Sequence, residues 1–250
     1  MGALRWILSL IFIAQMYLMM LLMAIFFLPW AAFERRGAFA AVHTYCRYVR
    51  WSARWLVGLK SEIRGQVPTG EVLIASKHQS FFDIIIIVSE TPRPKFIMKK
   101  QLLWAPIVGW FAKRIGCIPV DRGKRGQAIQ QMLRDVASGR SVGGQLIIYP
   151  QGTRVAPAST RPYKVGTFAI YDKSAQICVP AATNVGVFWP RHGIMRKPGL
   201  AVVEFLDPVM PGLNQDAFMS HLESEVEAVS DRLMLEAGFD AARAREENTQ

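Results

Sequence analysis

A histidine five residues before an aspartate, at the end of an apolar run, is the first place in this sequence where chemistry can be read. The run Val72–Lys77 leads directly into His78-Gln79-Ser80-Phe81-Phe82-Asp83. Five helical steps leave the two side chains about 140° apart, so one helix face does not hold both. A turn carrying His78, followed by a helix with Asp83 in its first turn, lets the carboxylate fold back onto the ring. A carboxylate on one imidazole nitrogen fixes the tautomer and supports the positive charge that develops on protonation. The other nitrogen is then suited to take a proton from a substrate hydroxyl. This is a triad without its serine, because the substrate brings the oxygen nucleophile. Alone the pair is weak. With four histidines and eight aspartates in 250 residues, the spacing arises by chance in about one such chain in eight, and a structural His–Asp bond capping a helix is the plain alternative.

Three further segments carry residues of the same kind of site. Gly116-Cys-Ile-Pro-Val-Asp-Arg122 brings an arginine to the end of an apolar run, and Tyr149-Pro-Gln-Gly-Thr-Arg154 does so again. In the second, Gly152 allows a close approach of backbone to a ligand. Val179-Pro-Ala-Ala182 closes a further run. Two guanidinium forks converging at strand ends form a phosphate clamp, since each pairs bidentately with phosphate oxygens. Lys99 and Lys100 add positive charge. Singly, each of these basic residues is more commonly part of a solvated face.

The elements that must position them alternate. Val72–Lys77, Lys95–Met98, Cys117–Val120, Gln145–Tyr149, Gln176–Ala181 and Leu200–Phe205 read as strands. Gln101–Ala112, Gln127–Ser138 and Asp216–Leu235 read as helices by their apolar period. The pattern predicts an α/β fold with a mixed, largely buried sheet flanked by helices. Ile84–Val88 is a conflict: its β-branched run favours a strand, yet no turn separates it from the strand before. The tail after Ala237 is polar and is expected to fray.

The N-terminal quarter is of another character. From Trp6 to Trp30 there is no charged residue, and only Ser9 and Gln15 are clearly polar. Twenty-five helical residues rise about 37 Å, enough to cross a hydrocarbon core of ~30 Å. The run is too long for a signal peptide and no small-residue cleavage site closes it. Arg5 precedes it, whereas Arg35, Arg36, Arg47, Arg50 and Arg54 follow, which predicts that the bulk of the chain lies on the cytoplasmic face. Gly37–Leu59 reads as an amphipathic helix, with Tyr45, Tyr48, Trp51 and Trp55 as the aromatic belt of a bilayer surface. The alternative is the same helix packed on its own domain.

Net charge is +11 and the pI near 9.9, which calls for an anionic partner: nucleic acid, membrane or a phosphorylated substrate. No nucleic-acid-binding signature appears, and the anchor already accounts for the basic segment behind it. Cys46, Cys117 and Cys178 are scattered and include no C-x-x-C pair, which argues against a disulfide framework and a zinc site. Gly139-Arg-Ser141-Val-Gly143 matches a hydrolase nucleophile pattern, but a helical period precedes it and a strand follows, the reverse of the required order.

The four segments around His78, Arg122, Arg154 and Val179, in this order and separation, resemble the glycerolipid acyltransferase family, most closely its 1-acylglycerol-3-phosphate acyltransferases. The similarity runs from roughly residue 65 to 208 and includes Met98-Lys-Lys-Gln-Leu-Leu-Trp-Ala-Pro-Ile-Val-Gly-Trp-Phe111. It implies a glycerol-3-phosphate acyltransferase-like α/β fold, an acyl thioester donor (acyl-CoA or acylated carrier protein), no resident cofactor or metal, and a lysophosphatidate acceptor in the bilayer. Glycerol 3-phosphate or a lyso-aminolipid is the alternative acceptor. By motif matching His78 is the general base and Asp83 its orienting partner. Lys99, Arg122 and Arg154 are then phosphate contacts, with Gln151, Gly152 and Thr153 in the loop that holds the glycerol. Gln151 stands where the family usually has Glu, so a donor replaces a charge there. The resemblance also implies that Ile84–Val88 is helical. The expected organisation is an anchor over 1–33, an interfacial helix over 34–62, the acyltransferase domain over 63–236 and a tail over 237–250.

Overall fold

The computed structural model describes residues 2–120, 130 and 143–247. Arg122, Ser141 and, but for Gln130, the expected helix Gln127–Ser138 lie outside the described residues. Two long helices, α1 (Gly2–Phe33) and α2 (Arg35–Leu56), precede the sheet. The strands are β1 (Leu59–Arg64), β2 (Leu73–Ser76), β3 (Pro94–Lys99), β4 (Ile118–Val120), β5 (Gln145–Ile148), β6 (Cys178–Thr183) and β7 (Gly199–Phe205). Between and after them come α3 (Phe82–Glu90), α4 (Pro106–Ile115), α5 (Gly166–Ser174), α6 (Gln215–Glu236) and α7 (Ala241–Glu247).

Among the described residues the strands form one sheet in the order β1-β7-β6-β2-β5-β3-β4. All pairings are parallel except β6 with β7. The sheet is therefore mixed, as its alternation with helices predicts. β2 lies at its centre, registered on β5 and β6 with every residue buried. Because β2, β3, β4, β5 and β6 run the same way, their carboxyl ends share one edge, the edge at which open α/β sheets bind ligands. One face of the sheet is covered by α1, α2 and α3, around Phe12, Val49, Phe82, Ile86 and Trp189. The other is covered by α5 and α6, around Ile170, Tyr171, Phe218 and Leu222.

Local chemistry explains where elements depart from the sequence reading. Ile84–Val88 is helical, as the resemblance implies and propensity does not. Ile85, Ile86, Ile87 and Val88 are all buried, and a helix enclosed on every side is apolar all round. The expected helix Gln101–Ala112 is broken: a 3-10 turn over Lys100–Trp104 ends at Ala105, and α4 restarts with Pro106 at its first position. Proline lacks only an N–H that is orphaned there anyway, and it holds the preceding residue extended. β1 is a strand inside the segment expected to precede the domain, and it pairs with β7 through a polar-alternating run that gave little signal. The tail is not wholly frayed: α7 is held by the Arg245–Asp231 ion pair and by burial of Ala241 against Met234 and Ala158.

α1 is long and apolar enough to cross a membrane, with a mean hydropathy of 2.4 in a window only 11% buried inside the protein. It also lies along the domain. Near its start, Ser9 Oγ accepts from Arg196 N at 3.0 Å and Phe12 packs edge-on to Trp189. Midway, Gln15 bonds Ser52 Oγ and the Tyr48 hydroxyl. At its end, Arg114 donates to the carbonyls of Ala31 and Ala32. Ser9 and Ala31 are separated by about 33 Å of helix, so the helix is docked over its length rather than reaching away from the domain. α2 returns beside it after a single extended residue, Glu34. A Cβ on Gly37 would lie 2.6 Å from the Ala31 backbone nitrogen, so the tight reversal depends on glycine there. The apolar side of α2 (Cys46, Val49, Ala53) is used on the domain itself, while Trp51 and Trp55 face outward.

Candidate active site

His78 follows the carboxyl end of β2, and Asp83 sits in the first turn of α3. Asp83 is fully buried, and its Oδ1 lies 2.9 Å from His78 Nδ1. Its Oδ2 accepts from the backbone N–H groups of Gln79 at 2.9 Å and Ser80 at 2.8 Å. A carboxylate in the first turn of a helix is favoured by the helix dipole, and here it also closes the turn that carries the histidine. With Nδ1 donating to Asp83, the tautomer leaves Nε2 unprotonated, and that atom bonds no described residue. Two more hydrogen bonds fix the turn: Val155 N donates to the His78 carbonyl at 2.7 Å, and Gly186 N to Gln79 Oε1 at 3.0 Å.

The imidazole is stacked on Tyr149, with ring centroids 3.9 Å apart and planes 20° from parallel. Tyr149 directly follows β5 and is half-buried, with its ring on the cavity wall; burial, and then the charge of Asp83, push its hydroxyl well above the ordinary tyrosine range. Its Oη has no hydrogen-bond partner among the described residues. The turn after it reverses at Gly152, whose left-handed φ of +68° disfavours any side chain.

His78 opens onto a cavity of about 950 Å³ at the shared strand edge. Lys99, Gly152, Thr153 and Arg154 line it too, so these expected site residues come together with His78. The remaining wall is mostly apolar and includes Met20, Met23 and Ala24 of α1 and Ile84 and Val88 of α3. The volume is at the upper end of the ~300–1,000 Å³ typical of small-ligand sites.

Gln151 departs from its expected place. Its side chain is 2% exposed and does not line the cavity. Nε2 turns instead to the Arg161 carbonyl at 3.3 Å and to Glu227 Oε1 at 3.4 Å. Successive residues of a tight turn point in different directions, and between Pro150 and Gly152 the side chain faces the α6 side. There Glu227 also accepts from Lys77 Nζ at 2.6 Å and from the Tyr163 hydroxyl at 2.9 Å.

Several residues at the site carried little readable signal. Lys77 and Glu227 are 150 positions apart. Tyr149 looks like the last residue of an ordinary strand. Lys164 and Arg191, both on the cavity wall, lie in loops where basic residues are normally solvated. The segment Trp189-Pro-Arg191-His-Gly-Ile-Met-Arg196, which follows a parallel strand whose end is at the site, is the pattern that marks Arg191.

The arrangement sets an imidazole held by a buried carboxylate against a cationic rim and a mostly apolar cavity. A family model described as Acyltransferase matches residues 59–184. The 1-acyl-sn-glycerol-3-phosphate acyltransferase of Pseudomonas aeruginosa is 26% identical over 225 residues, covering 84% of this chain and 87% of that protein. The mouse 1-acyl-sn-glycerol-3-phosphate acyltransferase alpha is 29% identical over 171 residues, covering 66% and 60%. The crystal structure of the 1-acyl-sn-glycerophosphate (LPA) acyltransferase from Thermotoga maritima shares the fold, with a TM-score of 0.76 over 92% of this chain and 97% of that one at 17% identity. The matched segment contains His78, Asp83 and the Tyr149–Arg154 turn, and this chain belongs to the acyltransferase family.

Proposed function

We propose that this protein transfers a fatty acyl group from a thioester, acyl-CoA or acylated carrier protein, to the free hydroxyl of 1-acylglycerol 3-phosphate, giving phosphatidic acid. The observation that carries the reading is the His78–Asp83 pair facing a largely apolar cavity with Lys99 and Arg154 on its wall. Nε2 of His78 takes the hydroxyl proton as the oxygen attacks the thioester carbonyl. The C–O bond forms, the tetrahedral intermediate collapses with cleavage of the C–S bond, and the imidazolium returns its proton to the departing thiolate. Asp83 keeps the ring in the productive tautomer throughout. Lys99 and Arg154, with Arg122, hold the acceptor phosphate, the turn at Gly152 and Thr153 holds the glycerol, and the apolar wall receives an acyl chain. The relatives named for the same reaction support this acceptor.

The enzyme works at the membrane surface in this reading. The outward face of α1 (Ile7, Ile11, Leu18, Leu22, Phe26) is apolar and exposed, and Trp51, Trp55, Trp104 and Trp110 are exposed as well. Aromatic rings of this kind favour the headgroup layer. The arginine bias after α1 supports a catalytic domain on the cytoplasmic face.

The test is thioester turnover by the purified full chain against lysophosphatidate, glycerol 3-phosphate and other lyso-lipids, with both donor types. Lysophosphatidate is expected to be the preferred acceptor, and His78→Ala to lower kcat by about 10²- to 10⁴-fold. Normal turnover by His78→Ala would overturn the proton-abstraction role, and indifference to lysophosphatidate with both donors would overturn the acceptor.

A further inference from the structure

Beside the large cavity lies a second one of about 260 Å³. Its walls come from α1 (Ile13, Met16, Tyr17), from Phe81, and from the loop after β6 with Trp189, Arg191 and Arg196. Phe81, Arg154 and Arg191 line both cavities, so the two adjoin.

The cations are arranged, not scattered. Arg154 and Arg191 each donate to the other's backbone carbonyl, at 3.4 Å and 3.2 Å, which clips the turn after β5 to the loop after β6. That loop is closed by Lys197 N donating to the Phe188 carbonyl and tied to α1 through Arg196 N and Ser9 Oγ. Arg196 is 6% exposed, stands 4.2 Å over the Trp189 ring, and its Nε has no partner. One of its terminal nitrogens donates to the carbonyls of Gly193 and Ile194. Burial lowers its pKa to about 10. Among the described residues no carboxylate is within ion-pairing distance of Arg154, Arg191 or Arg196, and none lines either cavity. A buried guanidinium is costly without a counter-charge, and the indole face offsets only part of that cost.

We propose, resting on the acceptor reading above, that Arg191 and Arg196 join Arg154 in a phosphate site between the 188–197 loop and α1, which takes the phosphomonoester of the lipid acceptor while its glycerol hydroxyl reaches His78 past Phe81. The guanidinium fork matches phosphate oxygens bidentately. A volume below the ~300 Å³ of the smallest typical ligand sites suits a headgroup, and the acyl chain is left to the larger cavity. Because α1 forms one wall, the phosphate is gripped beside the element that meets the bilayer.

The experiment measures kcat/KM of the full chain in neutral detergent micelles for lysophosphatidate and for monoacylglycerol, which lacks the phosphate. Arg191 is exposed but half of the clip to Arg154, so Arg191→Gln and Arg196→Gln are each paired with a thermal melt, and Arg196→Lys keeps a cation. Each glutamine variant is expected to cut the preference for lysophosphatidate about 10- to 100-fold, the equivalent of one charge-assisted hydrogen-bonded pair. The loss should appear in KM, and inorganic phosphate should compete with lysophosphatidate less well than in wild type. Arg196→Lys should recover part of the loss. An equal fall for both acceptors means a structural role and overturns the site. A changed response to phosphatidylglycerol in phosphatidylcholine vesicles, with KM for lysophosphatidate unaltered in micelles, assigns the cations to bulk lipid headgroups and also overturns it. A wild type indifferent to the phosphate overturns the acceptor reading and the site with it, whereas a wild-type preference that survives both variants overturns the site alone.

Discussion

Glu227→Ala tests whether the ion pair behind the His78 turn is a coupled, buried unit. Lys77 is 2% exposed and lies beside His78 in sequence; its ammonium faces Glu227 of α6, which also receives the Tyr163 hydroxyl and the Gln151 amide. Removing the carboxylate strands a buried cation, which costs about 3–5 kcal/mol. The Glu227 side chain is 26% exposed, so the low end, about 3 kcal/mol, applies. For a chain of this size each kcal/mol lowers the melting temperature by roughly 2–4 °C, so the variant should melt roughly 6–12 °C below wild type. Replacing both partners by apolar groups of similar volume, Lys77→Met with Glu227→Leu, removes charge and counter-charge together and should recover most of the loss, the remainder being the Tyr163 hydroxyl that lacks its acceptor in both variants. Thermal unfolding of the detergent-solubilised chain, followed by tryptophan fluorescence, reads the complete cycle. A Glu227→Ala variant melting within about 2 °C of wild type would show that the pair is not a coupled, buried unit, as would a double variant no more stable than Glu227→Ala.

Two further outcomes follow from the same region. Gln151→Glu should retain turnover within a few-fold, because the side chain is directed away from the cavity, yet lose about 1–3 kcal/mol of stability as the donor to the Arg161 carbonyl is lost and a second carboxylate meets Glu227. Kinetics combined with a melt separate the two effects, and complete loss of activity in a folded variant would give the amide its own chemical role. Tyr149→Phe keeps the ring beneath His78 and removes a buried hydroxyl without a partner, so it should stabilise the chain by roughly 1 kcal/mol with kcat unchanged; a large fall in kcat would place that hydroxyl in the reaction.

What could be read in the sequence was what local pattern encodes. The run before His78 is a strand because Leu73–Ser76 is apolar and bounded by turn residues. The His78–Asp83 bond follows because five residues are the length of one turn leading into one helix. The alternation of runs gave a mixed sheet, though not the reversed direction of β7, which depends on the loop between β6 and β7. Long-range pairings left no mark: nothing near Lys77 announces Glu227, and nothing near Ser9 announces Arg196. Composition read α2 as a bilayer-surface helix or a packed one, and the structure uses both faces, Val49 and Ala53 inward and Trp51 and Trp55 outward. A motif gives Gln151 its expected place, but in a turn this tight neighbouring side chains diverge, and tertiary packing decides which one faces the cavity.

The docking of α1 has a consequence for how far this protein can be taken apart. Met20, Met23 and Ala24 are part of the wall beside His78, and Tyr17 is part of the wall beside Arg196. The helix long and apolar enough to cross a membrane is therefore also a piece of the reaction vessel. Grafting a foreign apolar helix in its place would leave the vessel open along one side. Clipping the segment off to obtain a water-soluble version would do the same. The two faces of one helix thus have separate duties: a substitution at Met20, Met23 or Ala24 reshapes the cavity, whereas one at Ile11, Leu18 or Leu22 changes only the exposed apolar face.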